Sequence, residues 1–242
     1  MALHFIVPTC SDAHEGELIT LTGAEAKHAS VVRRVRVGEA ITIGDGSGIW
    51  LEAVVDDVSA AQVRVRVLKR VVADAPGSRI VLAQALAKGD RDEMAVQAAC
   101  ELGVDEIVPW RAARSVSRWE GPKAAKGRER WATIVREAAK QAHRAWVPAV
   151  AEAQSTAELV ARASEQRMLV LDPTAEMPLT TIRPDERDIM LVVGPEGGIS
   201  PEELTRFADA GAERVRLGDT VLRTSTAGPA AIAVLSSMLD RW

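Results

Sequence analysis

Tyrosine is absent from this chain of 242 residues and phenylalanine occurs twice, so aromatic side chains make up only 3% of it. That argues against a sheet that reads single-stranded nucleic acid by stacking bases on exposed rings. Cysteine also occurs twice, at Cys10 and Cys100, far apart and without Cys or His neighbours at metal-ligand spacing. Neither a disulfide scaffold nor a zinc site fits that pattern, and both thiols read as packing residues. No apolar run is long enough to cross a bilayer, and the stretch Met1 to Pro8 lacks the basic region of a secretory signal, so the expectation is a cytoplasmic protein without membrane spans. What is abundant is apolar content, 47%, which is enough for a substantial core in one large or two ordinary domains.

Lysine and arginine are missing from residues 1–26, which carry four acids. Residues 27–144 hold 21 basic and 15 acidic groups, and residues 145–242 hold 9 and 15. A basic middle between acidic ends, inside a net charge of −4, can hide a polyanion site from the overall balance. Chance clustering on a solvated surface would look the same.

The chain is organised around Ile189-Met190-Leu191-Val192-Val193-Gly194-Pro195-Glu196-Gly197-Gly198-Ile199-Ser200-Pro201-Glu202-Glu203-Leu204. Five apolar residues without polar alternation suit a strand buried on both faces of a parallel sheet. Ser200 and Glu203 have capping-box spacing, and Pro201 falls at the first helical position. The loop between is poor in side chains at the carboxyl end of a strand, where ligands of open α/β sheets sit. A tight strand-to-helix turn would read the same way. A phosphate-binding P-loop is excluded because Gly198 is followed by Ile199 and Ser200 instead of Lys and Ser or Thr, and the dinucleotide fingerprint breaks at Glu196. A ligand with a positive centre or a neutral adenosine suits the loop better than a polyphosphate.

Residues 1–72 read as a small β domain: strands Leu3 to Val7 and Glu17 to Leu21, a helix opened by a Thr22–Glu25 capping box, a hairpin through Ala40–Gly44, Asp45-Gly46-Ser47-Gly48 and Ile49–Val55, and an alternating strand from Gln62 to Val67. In that last strand the valines face the core and Arg64 and Arg66 face out. Together with Lys27, Arg33, Arg34 and Arg36 they could track a phosphate backbone, although basic residues also protect exposed strands from edge pairing. Val71 to Ser78 marks a boundary. Residues 73–242 alternate strand and helix: strand Ile80–Leu86, helix Asp90–Leu102, strand Glu106–Pro109, helix Arg128–Ala145, a helix capped by Ser155 and Glu158, strand Met168–Leu171, the central stretch, strand Val215–Leu217 and helix Ala227–Asp240. Such alternation predicts a mostly parallel sheet with helices on both sides. The basic segment Arg111 to Lys126, with Trp110 and Trp119, is a candidate binding loop offering stacking and charge.

A second loop between strand and helix follows in Val215-Arg216-Leu217-Gly218-Asp219-Thr220-Val221-Leu222-Arg223-Thr224-Ser225-Thr226-Ala227. Joined to Val193-Gly194-Pro195-Glu196-Gly197-Gly198-Ile199-Ser200, it closely resembles the RsmE family of SPOUT methyltransferases, the 16S ribosomal RNA uridine-N3 methyltransferases. Further matches lie at Arg34-Val35-Arg36-Val37-Gly38, Asp45-Gly46-Ser47-Gly48, Gln84 to Asp90, Glu101-Leu102-Gly103-Val104, and Glu137 to Gln141 with Arg144 and Pro148, so the similarity spans nearly the whole chain. The resemblance implies an α/β fold: an N-terminal PUA-like β-barrel that binds RNA, and a SPOUT-type parallel-sheet domain with a trefoil knot that holds S-adenosylmethionine. It also implies a homodimer acting without metal on 16S ribosomal RNA of the small subunit. Two positions depart from the family pattern, which often has an acid where Ser225 stands and Lys where Ala98 aligns.

On that resemblance the cofactor contacts are Val193, Gly194, Pro195, Glu196, Gly197, Gly198, Ile199, Leu217, Gly218, Val221, Leu222 and Thr224, and the RNA contacts Arg33, Arg34, Arg36, Arg64, Arg66, Arg114 and Arg144. Methyl transfer from a sulfonium depends on close in-line positioning, because the donor is already activated. Uridine N3 must also lose a proton, and charge then develops on the ring oxygens. Arg223 cannot be the base but can hold that charge. Glu196 could contact the cofactor or accept the proton. A purely RNA-binding ribosome factor would leave the two glycine loops unexplained, and a small-molecule methyltransferase would leave the basic β domain unexplained.

Overall fold

The computed structural model describes residues 3–242. The chain forms two compact units, one reaching to Ala75 and including Ala139–Val147, the other made of Pro76–Ala138 and Pro148–Trp242.

The first unit contains β1 (Leu3–Ile6), β2 (Leu18–Leu21), α1 (Gly23–Lys27), β3 (Ala40–Gly44), β4 (Ile49–Val58) and β5 (Val63–Val72). They form one sheet in the order β1-β3-β4-β5-β2, parallel between β1 and β3 and antiparallel elsewhere. Two register shifts in β4, at Glu52/Ala53 and Val55/Asp57, bend the sheet, which curls into a half-barrel. Asp45 closes the β3–β4 turn by accepting from the N–H groups of Ser47 and Ile49. Alternation along β5 works as the sequence requires: Val63, Val65 and Val67 are buried while Arg64 and Arg66 point out.

The Thr22–Glu25 capping box does not form. Thr22 is the N-cap residue but its side chain makes no capping bond, and the Glu25 carboxylate, the other half of the box, pairs with Lys140 at 3.2 Å. After α1 the helix widens into a π turn, His28–Val32, whose i+5 bond runs from Arg33 N–H to the His28 carbonyl at 2.8 Å.

The second unit holds β6 (Ile80–Ala85), α2 (Arg91–Glu101), β7 (Glu106–Trp110), α3 (Pro122–Gln141, whose end from Ala139 onward belongs to the first unit), β8 (Ala149–Val150), α4 (Thr156–Ala161), β9 (Arg167–Leu171), β10 (Ile189–Val193), α5 (Pro201–Asp209), β11 (Glu213–Val215) and α6 (Thr224–Met238). All strands are parallel, in the order β11-β9-β10-β6-β7-β8. Every side chain of β10 is buried, which stabilises the sheet centre by roughly 1.5–3 kcal/mol per large aliphatic residue. Met190 and Val192 pack with Leu159 of α4 and Phe207 of α5, and Val193 and Leu82 lie under Gly228 of α6, so helices cover both faces.

Helix α3 begins and ends earlier than the expected Arg128–Ala145. Pro122 suits a first turn, and at the other end His143 adopts φ 54° while Arg144 N–H reaches back to the Ala139 carbonyl, which terminates the helix. Trp131, Val135 and Ala138 form its buried face. Strand β11 stops at Val215 and α6 starts at Thr224, so the loop between them lies two to three residues earlier in the chain than the sequence suggested. Trp110 is fully buried edge-on to Phe207 and donates to Thr156, and Trp119 packs at 5.1 Å on Trp131, so neither ring is a free stacking platform. Cys10 and Cys100 are both buried and unbridged. Among the described residues no helix is long and apolar enough to cross a membrane, and no cluster of His, Cys, Asp and Glu could hold a metal ion.

Candidate active site

Strands β6, β7 and β8 make one half of the parallel sheet, and β10, β9 and β11 make the other. A crevice at the carboxyl ends of strands is expected where that order reverses, beside β10. A cavity of about 680 Å³ lies there, lined by the loops following β9 (Leu171–Thr174), β10 (Val193–Ile199) and β11 (Val215–Thr224).

Each loop is fixed by its own chemistry. In the loop after β10, Gly198 adopts φ 71° and donates to the Pro195 carbonyl at 2.9 Å, a conformation that favours glycine. Ile199 folds back over Gly194 so closely that a Cβ there would sit 2.7 Å from its Cγ1. The Ser200–Glu203 capping box forms as expected and anchors the exit into α5. The other oxygen of Glu203 accepts from Ala113 N–H and from the Thr156 hydroxyl, both at 2.8 Å, which ties the segment after β7 to this helix start.

The loops after β10 and β11 meet through Thr224. Its hydroxyl donates to the Gly194 carbonyl at 2.8 Å and accepts from Gln84 Nε2 at 2.9 Å. Gln84 is fully buried at the end of β6, and its Oε1 has no hydrogen-bond partner. A polar residue inside the otherwise apolar run Ile80 to Leu86 was the signal in the sequence that could have flagged it.

Two acids border the cavity and both are engaged. Burial pushes the Glu196 carboxyl up, but backbone N–H groups of Glu196 and Lys88 and the guanidinium of Arg91 outweigh it and hold the group below the ordinary carboxylate range. For Asp172, burial likewise acts upward and is outweighed by the Thr174 N–H and hydroxyl and by Arg214, so this carboxyl too sits low. Neither is poised to take up a proton near neutrality.

Arg223 is exposed at the amino end of α6 and lines the cavity, and its side chain has no hydrogen bond or ion pair among the described residues. Most of the expected cofactor residues line the cavity with it: Val193, Gly194, Pro195, Glu196, Gly198, Ile199, Leu217, Val221, Leu222 and Thr224. Gly197 and Gly218 do not. Gly197 instead faces Arg114, whose Nη1 donates to the Gly197 carbonyl at 3.1 Å. Arg91, Leu171, Asp172, Thr174 and Val215 also line the cavity and were not anticipated. Asp172, placed directly after a strand and before Pro173, was legible as a candidate; Arg91 was not.

The arginines expected to meet RNA lie on several different elements. Arg64 and Arg66 lie on β5, at 3.4 Å from Asp57 and 2.9 Å from Asp56. Arg33, Arg34 and Arg36 follow the π turn, all exposed. Arg144 lies just beyond α3, in the first unit, and is half-buried.

Comparison with known proteins bears directly on this arrangement. Residues 74–236 match the model of an RNA methyltransferase domain, and residues 21–68 that of an RNA methyltransferase PUA domain. The chain is similar to ribosomal RNA small subunit methyltransferase E of Mycobacterium bovis, with 41% identity over 248 residues covering 100% of this chain and 94% of that protein. Identity to the Bacillus subtilis protein of the same name is 30%, over 98% and 96% of the two chains. Among solved structures, ribosomal RNA small subunit methyltransferase E of Neisseria gonorrhoeae bound to S-adenosylmethionine superposes with a TM-score of 0.89 at 31% identity, covering 98% of both chains.

Proposed function

The chain belongs to the family of ribosomal RNA small subunit methyltransferase E, and from that premise we propose that it transfers the methyl group of S-adenosylmethionine to N3 of a uridine in 16S ribosomal RNA. The observation that carries this reading is the meeting of two side-chain-poor loops in one cavity with the unpaired Arg223 at its edge. The residues present fit the cofactor. A cavity of about 680 Å³ suits a ligand of this size, and its acids are already matched by internal donors. Main-chain groups of Gly194 to Ile199 and of Leu217 to Leu222 would hold it. When bound, the cofactor supplies an electrophilic methyl group on a sulfonium.

Arg223 holds the negative charge that develops on the uracil oxygens as N3 gives up its proton to solvent water, and the positive end of the α6 dipole acts in the same direction. Its guanidinium stays protonated, so it is not the proton acceptor. Glu196, engaged by Arg91 and Lys88 N–H, orders the cofactor loop instead of taking the proton. Ser225 stands at the second position of α6 and supplies no carboxylate.

The same reading assigns RNA gripping to residues 1–72 and methyl transfer to residues 73–242, with the trefoil knot formed by the loops around the cavity, in a cytoplasmic homodimer. Val221, 79% exposed, and Leu222 give the cavity mouth an apolar rim that a second copy would cover. Mass mapping of ribosomal RNA from cells lacking this protein, complemented with wild type or with Arg223→Ala, tests the function. The expected result is one methyluridine in 16S RNA restored by wild type alone; a 16S RNA unchanged by loss of the protein overturns it.

A further inference from the structure

Most arginines in this protein face a carboxylate or a carbonyl. On β5, Arg64 and Arg66 are matched by Asp57 and Asp56, and Arg66 also donates to the Gly16 carbonyl. The segment from Val31 to Val37 is built differently. Arg33, Arg34 and Arg36 are exposed, and their guanidinium groups have no hydrogen bond or ion pair among the described residues. Interleaved with them, Val31, Val32 and Val37 are 53%, 62% and 65% exposed, three apolar side chains within seven residues left facing solvent.

The backbone holds this segment in place. The π turn ends in the bond from Arg33 N–H to the His28 carbonyl, and Val35, 5% exposed, is anchored through its own N–H to the Ala29 carbonyl at 3.0 Å. Arg34 adopts φ 54°, a left-handed conformation that costs a non-glycine residue energy and is characteristic of functional positions. Arg36 N–H is tied to the Glu39 carboxylate at 3.0 Å. With Val35 buried between them, Arg34 and Arg36 both project outward, and the exposed valines bracket the basic residues. A rigid, wholly phosphate-directed grip would not need that apolar component.

We propose that the segment Val31–Val37 is a contact surface for unpaired RNA, with Arg33, Arg34 and Arg36 taking phosphates and Val31, Val32 and Val37 packing against the faces of splayed bases. This deepens the reading of the chain as an RNA methyltransferase and rests on it. The occupant follows from charge and from burial together. Three unmatched positive charges call for a polyanion, and a second copy of the same patch would set arginines against arginines. A duplex satisfies the arginines but hides the faces of its bases in stacks, whereas single strands expose them to apolar side chains.

The two halves of the surface separate by their response to salt. Full-length protein is titrated with a short unpaired RNA oligonucleotide and with the same sequence annealed to its complement, across a range of salt concentrations. Replacing Arg33, Arg34 and Arg36 together by Gln should weaken both RNAs and flatten the log-log salt slope on the single strand by about 2, at roughly 0.7 per phosphate contact. Replacing Val31, Val32 and Val37 together by Thr, which keeps their shape, should weaken the single strand several-fold, leave its salt slope unchanged and leave the duplex unaffected. S-adenosylmethionine affinity, measured on the same samples, should not change in either variant, which reports that the folded protein is intact. If the Thr variant binds the single strand like wild type while the Gln variant is impaired, the surface is a phosphate clamp and the proposal fails, although the methyltransferase reading stands. If both variants bind RNA and methylate it like wild type, the segment does not touch RNA, and a protein partner becomes the occupant to seek. Absence of RNA methylation by the wild-type protein would instead overturn the underlying function.

Discussion

Thr224 is the hinge pin of the cavity, and replacing it with Val removes one hydroxyl at nearly constant shape. That hydroxyl donates to the Gly194 carbonyl and accepts from Gln84 Nε2, so its loss leaves the carbonyl without its donor at a largely buried position. Gln84 Nε2 keeps a contact of 3.2 Å to the Ala85 carbonyl, so the main penalty falls on Gly194. A buried polar group deprived of its partner costs about 1–3 kcal/mol. The loop can escape that cost by rotating the Gly194 peptide toward solvent, and the cavity wall then no longer matches the ligand. If the whole penalty falls on the competent loop conformation, cofactor affinity drops between about fivefold and 150-fold. If it falls on the folded state, the melting temperature drops by about 2–4 °C per kcal/mol for a chain of this size. Calorimetric titration with S-adenosylmethionine and thermal melting of Thr224→Val and Thr224→Ser read both quantities. The Ser variant keeps the hydroxyl and should stay near wild type. A Val variant with wild-type affinity and melting temperature would refute the role given to this hydroxyl.

Arg223→Ala should lower turnover by about a hundredfold or more, as loss of a charge-stabilising donor does, while cofactor affinity stays within a few-fold; a matched rise in KM with unchanged kcat would place Arg223 in ground-state binding instead. Gly197→Val adds a side chain whose Cβ would lie 3.3 Å from Arg114 Cβ, so it should displace Arg114 from the Gly197 carbonyl and weaken the cofactor; unchanged affinity in titration would separate that contact from the cavity. His4 is lowered from 6.5 to about 4 by burial first and by the charges of His143 and Lys140 second. The unfolded chain therefore takes up this proton before the folded one. Stability from a neutral His4 is complete above pH 6.5 and is lost as pH falls toward 4, about 3 kcal/mol over that window. Denaturant melts of wild type and His4→Gln should show the acid-side loss shrinking by that amount, and equal slopes in both would exclude His4 as its source. Light scattering should give a dimer mass, and an active monomer would remove the second copy from the cavity mouth.

Much of this protein is written in local patterns. The uniform apolar run of β10 is a strand because no alternation marks a wet face, and the Ser200–Glu203 box starts α5 because both reciprocal bonds lie within one turn. The valine–arginine alternation of β5 became an inside and an outside for the same reason: period and pleat agree over a few residues. The glycine loops were legible because the absence of side chains can be read directly. What the sequence could not supply were interactions decided at long range. Thr22 and Glu25 had the spacing of a capping box, but the carboxylate pairs with Lys140, 115 positions away. Helix α3 ends where His143 turns left-handed, a conformation that the run of helix-forming residues before it does not announce. Arg64 and Arg66 looked like free charge until the sheet register set them beside Asp57 and Asp56. Gln84, Thr224 and Gly194 become one relay only because β6, β10 and α6 converge, with 140 positions separating the first two. Local spacing thus determined which elements form and where their loops are bare, while the tertiary structure decided which charges remain unpaired and which polar atoms hold one another, because pairing depends on distances that only folding sets.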